Sequence, residues 1–127
     1  MYCPLSSKAI MAIFAIASTV PQVTSKGINC QGSALCSTCP AHTLSEINTS
    51  IQGLSDTQTF PNGAHIACSG HCCAFLQNVQ GTKTGAQIKG FVGDLLAHGC
   101  GKCGSDPTEP GNNVNTGELT VNYVSDP

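Results

Sequence analysis

Arginine and tryptophan are both missing from this chain, and charged residues of any kind are scarce. Only 9% of its 127 residues are charged, and all five basic residues are lysines. Proteins that bind nucleic acid normally cluster lysine and arginine against the phosphate backbone. The composition therefore excludes nucleic acid as a partner, and it also disfavours binding to an anionic membrane surface.

Long apolar runs are missing too, because the longest uninterrupted one, Ala9–Ala17, has only nine residues. Such a run is too short to cross a bilayer, but near the N-terminus and after Lys8 it is typical of a secretory signal. We predict a signal peptide over residues 1–25, cleaved after Ser25, with cleavage after Ala17 as the alternative. The mature chain is then one extracellular domain over residues 26–127, in which four lysines against seven acids give a formal charge of −3.

Cysteine, by contrast, is abundant, with nine in the chain. Removal of the signal peptide would take Cys3 away and leave eight, an even number. Because the apolar core of about a hundred residues is marginal, we predict a disulfide framework formed in an oxidising compartment. Eight cysteines allow about 105 pairings, and the residues alone exclude only a bridge between the adjacent Cys72 and Cys73. No thiol is left over as a nucleophile, so we predict no enzyme activity.

Two C-x-x-C pairs, Cys36–Cys39 and Cys100–Cys103, have a spacing that zinc sites use. The gap between the pairs is far longer than in a zinc ribbon, and a secreted chain favours disulfides. We therefore predict neither a metal site nor a cofactor. Asp106 is interpreted as a turn residue that caps local amides, and His71 as part of a solvent-facing hairpin tip.

The hydrophobic periodicity predicts two helices and about four strands. The helices begin at apparent capping boxes, Thr43–Glu46 and Thr84–Gln87, and each has apolar residues on one face. A period-2 pattern predicts a final strand over Glu118–Val124, with Leu119, Val121 and Tyr123 facing the helices. The other predicted strands are an edge strand at Gly27–Cys30 and a hairpin formed by Ala64–Cys68 and Cys73–Val79. Strands and helices out of βαβα order indicate an α+β fold.

Two segments resemble the fungal killer protein four toxins: KGINCQGSALC at Lys26–Cys36, and HGCGKCGSDP with GNNVNTGELTVNYV within His98–Val124. The resemblance implies a small secreted two-layer α/β sandwich, in which an antiparallel sheet carries two helices on one face. It also implies disulfides Cys30–Cys100 and Cys36–Cys103. For the remaining four cysteines we favour Cys68–Cys73 across the hairpin and Cys39–Cys72.

The resemblance further implies an antifungal toxin that blocks calcium channels of competing fungi. We expect a monomer whose partner is a membrane protein, a calcium channel or another membrane target, of a competing fungus or a host. The family's toxins carry basic residues just before the cysteine that matches Cys68, whereas Pro61–Ala67 has none here. We therefore predict that Lys102 or Lys89 supplies the positive charge that contacts the target. The alternative is a secreted effector or wall-associated interaction protein that acts on a host without blocking a channel.

Full reduction of the mature protein should lower its melting temperature by more than about 15 °C. A bridge that closes a long loop stabilises by roughly 4 kcal/mol in the chain-entropy model, which is large for a domain of this size. Thermal unfolding followed by circular dichroism with and without a thiol reductant measures the effect. An unchanged melting temperature in the fully reduced protein would contradict the prediction.

Overall fold

The computed structural model describes residues 26–127, so the predicted signal peptide lies outside the described residues. Within this part of the chain there are two α-helices, α1 (Thr43–Gln52) and α2 (Gly85–Ala97), and two 3₁₀ turns, Ala34–Thr38 and Val114–Thr116. Six strands complete the fold: β1 (Thr59–Pro61), β2 (Ala67–Ser69), β3 (Cys72–Gln77), β4 (Thr82–Thr84), β5 (Gly104–Pro107) and β6 (Glu118–Tyr123).

The main sheet has four antiparallel strands in the order β2-β3-β6-β5. The C-terminal strand β6 is therefore central, pairing with β3 on one side and β5 on the other. Its burial follows the predicted alternation only in part: Leu119 and Val121 are fully buried and Asn122 is half-buried, but Thr120, on the other face, is also buried, at 3% exposure. Tyr123, on the same face as Leu119 and Val121, packs against a second cluster that contains three buried cysteines, Cys39, Cys72 and Cys103.

Both helices pack on one face of this sheet. Helix α1 buries Leu44, Ile47 and Ile51 completely, and α2 does the same with three apolar residues one turn apart, Ile88, Val92 and Leu95. These side chains form a single apolar core with inward residues of β3 and β6, among them Ala74, Leu76, Leu119 and Val121. The predicted fold class, a disulfide-stapled α+β sandwich with two helices on one face, is therefore confirmed.

Several local predictions differ from the structure. The capping box at Thr43 is wrong: Thr43 is the first helical residue, and its hydroxyl donates to the Pro40 carbonyl at 2.6 Å instead of capping α1. The box at Thr84 and Gln87 is present at the start of α2. Strand β2 begins at Ala67 rather than Ala64, because the preceding residues run as a loop. The predicted edge strand at Gly27–Cys30 forms only one bridge, between Asn29 and Ser105.

Three strands were not predicted at all: β1, β4 and β5, of which β5 was interpreted as a turn. Residues of β1 pair with residues of β4 in a separate two-stranded sheet, with Phe60 opposite Lys83. Each of these two strands has only three residues, and Pro61 begins a Pro-Asn-Gly string that is typical of a turn. The sequence pattern of this region therefore indicates a loop. The side chain of Phe60 is buried in the main core, which holds β1 against the rest of the domain.

The sulfur atoms lie at bonding distance in the four pairs named from the sequence. The Cα atoms are 5.1 Å apart for Cys30–Cys100, 6.2 Å for Cys36–Cys103, 5.8 Å for Cys39–Cys72 and 4.0 Å for Cys68–Cys73. The first two bridges close loops of 70 and 67 residues, so they tie the N-terminal segment to the chain between α2 and β5. Over residues 26–127, no helix combines the length and apolar character that crossing a membrane requires.

Ending the chain after Gly117 should abolish folding, because it removes the central strand and leaves β3 and β5 without their shared partner. The matched control ends the chain after Val124 and loses only the exposed Ser125, Asp126 and Pro127. We expect dispersed amide signals in nuclear magnetic resonance spectra from the control and collapsed signals from the shorter chain. A well-dispersed spectrum from the shorter chain would show that β6 is dispensable.

Candidate functional site

Two disulfides brace one corner of the molecule. Cys36–Cys103 links the 3₁₀ turn Ala34–Thr38 to the segment after α2, and Cys39–Cys72 links the end of the same turn to β3. The two bridges touch, with 3.8 Å between the sulfur atoms of Cys39 and Cys103. We call Ala34–Thr38 together with Gly101–Cys103 the Lys102 corner. Covalent bonds therefore hold this corner, although the turn itself buries no side chain.

Lys102 lies inside this corner and is half-buried. Its ammonium group donates a hydrogen bond to the backbone carbonyl of Ser37, 3.1 Å away. A carbonyl is neutral, and no carboxylate of residues 26–127 comes within ion-pair distance of Lys102. The hydrogen bond consequently fixes the position of the side chain without cancelling its positive charge.

Lys89, the other predicted target-binding residue, is in a different situation. Its ammonium group forms an ion pair with Asp56 at 2.8 Å. Lys83 is paired similarly with Glu109, at 2.6 Å, and the hydrogen bond from Lys83 holds the pKa of Glu109 below its usual value. Lys89 lies near the start of α2, and Lys102 follows the end of this helix. The helix rises by on the order of 12 Å between Lys89 and its last residue, Ala97. The structure thus places the two lysines on different parts of the surface.

Leu35 is a feature of the Lys102 corner that the sequence analysis missed. Its side chain is 51% exposed, and it is the one large apolar side chain among residues 26–127 with such exposure. It lies in the same 3₁₀ turn whose Ser37 carbonyl binds Lys102. A signal was present in the sequence: Leu35 is isolated among small and polar residues between two cysteines, where no helical or strand periodicity would bury it.

Two groups of histidine and cysteine side chains lie close enough together to be considered as metal ligands. Ring and sulfur atoms of His65, Cys68 and Cys73 lie within 4.8 Å of one another, as do those of the three cysteines Cys36, Cys39 and Cys103. Every one of these sulfurs belongs to a disulfide, whereas zinc binds cysteine as the thiolate. The close approach of these atoms is therefore explained by the bridges.

His71 is exposed at the tip of the β2–β3 hairpin, as predicted. The turn is shorter than the predicted four-residue loop, since Ser69 pairs directly with Cys72. The imidazole stacks on Tyr123, with ring centroids 5.4 Å apart, and its Nδ1 lies 3.0 Å from the carbonyl oxygen of Val124. His71 thus holds the end of β6 rather than contributing to a reactive cluster.

The interpretation of Asp106 as a turn residue is wrong. Asp106 belongs to strand β5, is paired with Leu119 of β6 and is only 6% exposed. Its Oδ2 atom is buried without a hydrogen-bond partner among the described residues. Burial, and secondarily the carboxyl group of Asp94 on α2, raise the pKa of Asp106 to about 8. The Gly-Ser-Asp-Pro string is typical of a turn, and only pairing with β6 makes it a strand.

We expect Asp106→Asn to stabilise the protein at pH 8 but not at pH 4. Below the ordinary pKa of 3.8, Asp106 is protonated in both the folded and the unfolded chain. As the pH rises toward 8, the unfolded chain releases this proton while the folded protein retains it, so stability falls. Asparagine does not ionise, so the variant does not lose stability in this way. The melting temperature of Asp106→Asn at pH 8 should exceed that of the wild type by roughly 5 °C or more.

Melting temperatures of both proteins at pH 4, 6 and 8 test this prediction. The control is Asp126→Asn, since Asp126 is exposed near the C-terminus and should melt like the wild type at each pH. The difference between Asp106→Asn and wild type should widen as the pH rises. A difference that stays constant across the three pH values would show that folding does not raise the pKa of Asp106.

The geometry defines a class of protein: a small disulfide-rich α+β sandwich with a covalently braced corner and no free thiol among the described cysteines. Residues 12–125 match the model of the Kp4 family. A relative, the KP4 killer toxin of the Ustilago maydis P4 virus, is 35% identical over 113 residues, covering 86% of this chain and 88% of the toxin. The chain belongs to the Kp4 family, which supports a killer-toxin-like function.

Proposed function

We propose that this protein is a secreted antifungal toxin that binds a membrane protein on competing fungi, with a calcium channel as the first target to test. The observation that carries the proposal is the 35% identity to a killer toxin over nearly the whole of both chains. The four bridges support secretion, because disulfides persist in oxidising compartments.

Action by binding rather than by catalysis is supported by the chemistry of the described side chains. All eight cysteines of residues 26–127 are in bridges, so none provides a thiolate nucleophile. The histidine at the hairpin tip holds a neighbouring strand, and the one carboxyl group with a strongly raised pKa is buried beneath α2. A rigid surface that recognises another protein fits these features better than an active site does.

Lys102 is the residue best suited to contact an acidic target. Lys83 and Lys89 each have a carboxylate partner, whereas Lys26 and Lys102 donate to neutral oxygens, and of these two only Lys102 lies between disulfide-bonded cysteines. Local charge of this kind steers association and strengthens specific pairing with an acidic surface. The surrounding bridges hold the side chain in place, which reduces the entropy lost when it binds.

Leu35 would complete the contact beside Lys102. Protein interfaces concentrate their binding energy in a few residues that become buried, surrounded by polar contacts. An exposed leucine and a charged lysine at one braced corner offer both an apolar anchor and an electrostatic one. The proposed contact surface is therefore the Lys102 corner, not the segment before Cys68 that is basic in the family's toxins.

A second candidate function is a secreted effector or wall-associated protein that acts on a host without blocking a channel. It is favoured by Pro61–Ala67, which contains no lysine or arginine. A toxin that relied on charge in this segment would have lost its attraction to an acidic channel mouth. Growth assays on fungi and on plant roots, with and without added calcium, distinguish the two functions.

Lys102→Ala should weaken inhibition of a sensitive fungus about tenfold, because one charge contact of a bound lysine is worth roughly 1.4 kcal/mol. The matched control is Lys83→Ala, which removes a lysine already paired with Glu109 and should leave the inhibition curve unchanged. Lys89→Ala, which removes the ion pair with Asp56, should have a smaller effect than Lys102→Ala. The measurement is the concentration of purified protein that halves growth.

Added calcium should relieve the inhibition if the target is a calcium channel. Full retention of activity by the double variant Lys102→Ala, Lys89→Ala would show that neither lysine contacts the target. Inhibition of plant roots alone, with fungi unaffected at all calcium concentrations, would favour the effector function instead.

A further inference from the structure

The face of the main sheet that points away from the helices has a polar cleft. Along β3 and β6 the residues that alternate with the core residues line this face. Two cavities lie side by side there, of about 460 Å³ and about 230 Å³. Gln77 lines both of them, so they adjoin at this residue, and we call the two together the outer cleft.

The larger part of the outer cleft combines one aromatic ring with several amides. Phe75 is half-buried and has the ring of His65 on one side, with 5.9 Å between the ring centroids. The amide side chains of Asn62, Gln77 and Asn78 line the same cavity. Asn62 is held in place, because its amide exchanges two hydrogen bonds with the backbone of Val79, of 2.7 and 3.0 Å.

The smaller part lies between the sheet and the N-terminal segment. Asn29 fixes that segment, since its amide donates to the Gly27 carbonyl at 2.9 Å and accepts from the Gln31 amide at 3.0 Å. Across the cleft, the side-chain oxygen of Asn122 accepts from the backbone amide of Ser33 at 3.0 Å. The NH₂ group of Asn122 and the whole side-chain amide of Gln77 make no hydrogen bond to any part of the chain that the structure describes.

The charge of the lining restricts the ligand. One lysine, Lys26, and one glutamate, Glu118, line the smaller cavity, so these two side-chain charges cancel and leave only the α-amino group that cleavage after Ser25 would create at Lys26. A phosphate or carboxylate ligand would need an excess of cationic groups, and a lipid chain would need a lining without so many amides. A neutral ligand with many hydroxyl groups fits, because each amide offers both a donor and an acceptor.

We propose that the outer cleft binds a neutral linear oligosaccharide. One sugar ring would pack its apolar face on Phe75, and hydroxyl groups of this and the next ring would bond to the free amides of Gln77 and Asn122. Two adjoining cavities that share one lining residue fit at least two consecutive sugar units. The inference stands apart from the killer activity, since the cleft and the Lys102 corner share no residue.

The test titrates the ¹⁵N-labelled, fully oxidised protein, residues 26–127, with three neutral hexasaccharides: a β-1,3-linked glucan, a chitin fragment and a mannan fragment. Saturable shifts of the side-chain NH₂ signals of Gln77 and Asn122 with at least one of them are expected. Gln77→Ala should weaken that binding at least fivefold. Because Gln77 is exposed and has no partner within the described chain, this variant should fold normally.

The matched control is Gln52→Ala, which removes an exposed amide from α1 in the opposite layer and should bind as the wild type does. No saturable shift with any of the three sugars would overturn the proposal. Shifts confined to other surfaces would also overturn it, as would equal affinity of Gln77→Ala and wild type. A variant of Lys102 should bind the sugar normally, which separates this result from that of the killer assay.

Discussion

The two bridges at Cys100 and Cys103 are the constraint on which the rest of the structure depends. They join the end of α2 to the N-terminal segment, across loops of 70 and 67 residues. Strand β5 starts directly after Cys103 and pairs with the central strand β6. The bridges thus fix the edge of the sheet, the course of the N-terminal segment and the Lys102 corner together, in a domain whose core of about a hundred residues is marginal by itself.

The charges on this framework account for the proposed roles of its surfaces. Two of the four lysines in residues 26–127 are paired with carboxylates, while Lys26 donates to the side-chain amide of Gln31 and Lys102 to the carbonyl of Ser37. Of the two lysines without a carboxylate partner, Lys102 is the one that lies between disulfides. The outer cleft lies on the face of the sheet that points away from the helices. Its lining has the opposite side-chain charges of Lys26 and Glu118 and many amides, which suits a neutral ligand. Between the layers, Asp106 keeps a protonatable group below α2 and makes stability depend on pH.

Some of the predictions from sequence needed only local chemistry. The capping box at Thr84, the apolar face of α2 and the burial of Leu119 and Val121 in β6 all follow from spacing, and all three are present. Others failed because distant partners overrode local preference: β5 resembles a turn until β6 pairs with it, and β1 resembles a loop until β4 does. Thr43 failed for a smaller reason, since its hydroxyl found the Pro40 carbonyl.

For the candidate site, the sequence by itself determined the even set of cysteines after residue 25, the scarcity of positive charge and the short list of lysines that could serve a target. It favoured Lys102 over Lys89 because cysteines flank Lys102, but it could not identify the partner of each lysine, since that partner lies far along the chain: Asp56 for Lys89, Glu109 for Lys83 and Ser37 for Lys102. The tertiary structure alone decided which lysines have carboxylate partners and that Asp106 became buried. Each of these outcomes depends on contacts between segments that only the folded sheet and its bridges bring together.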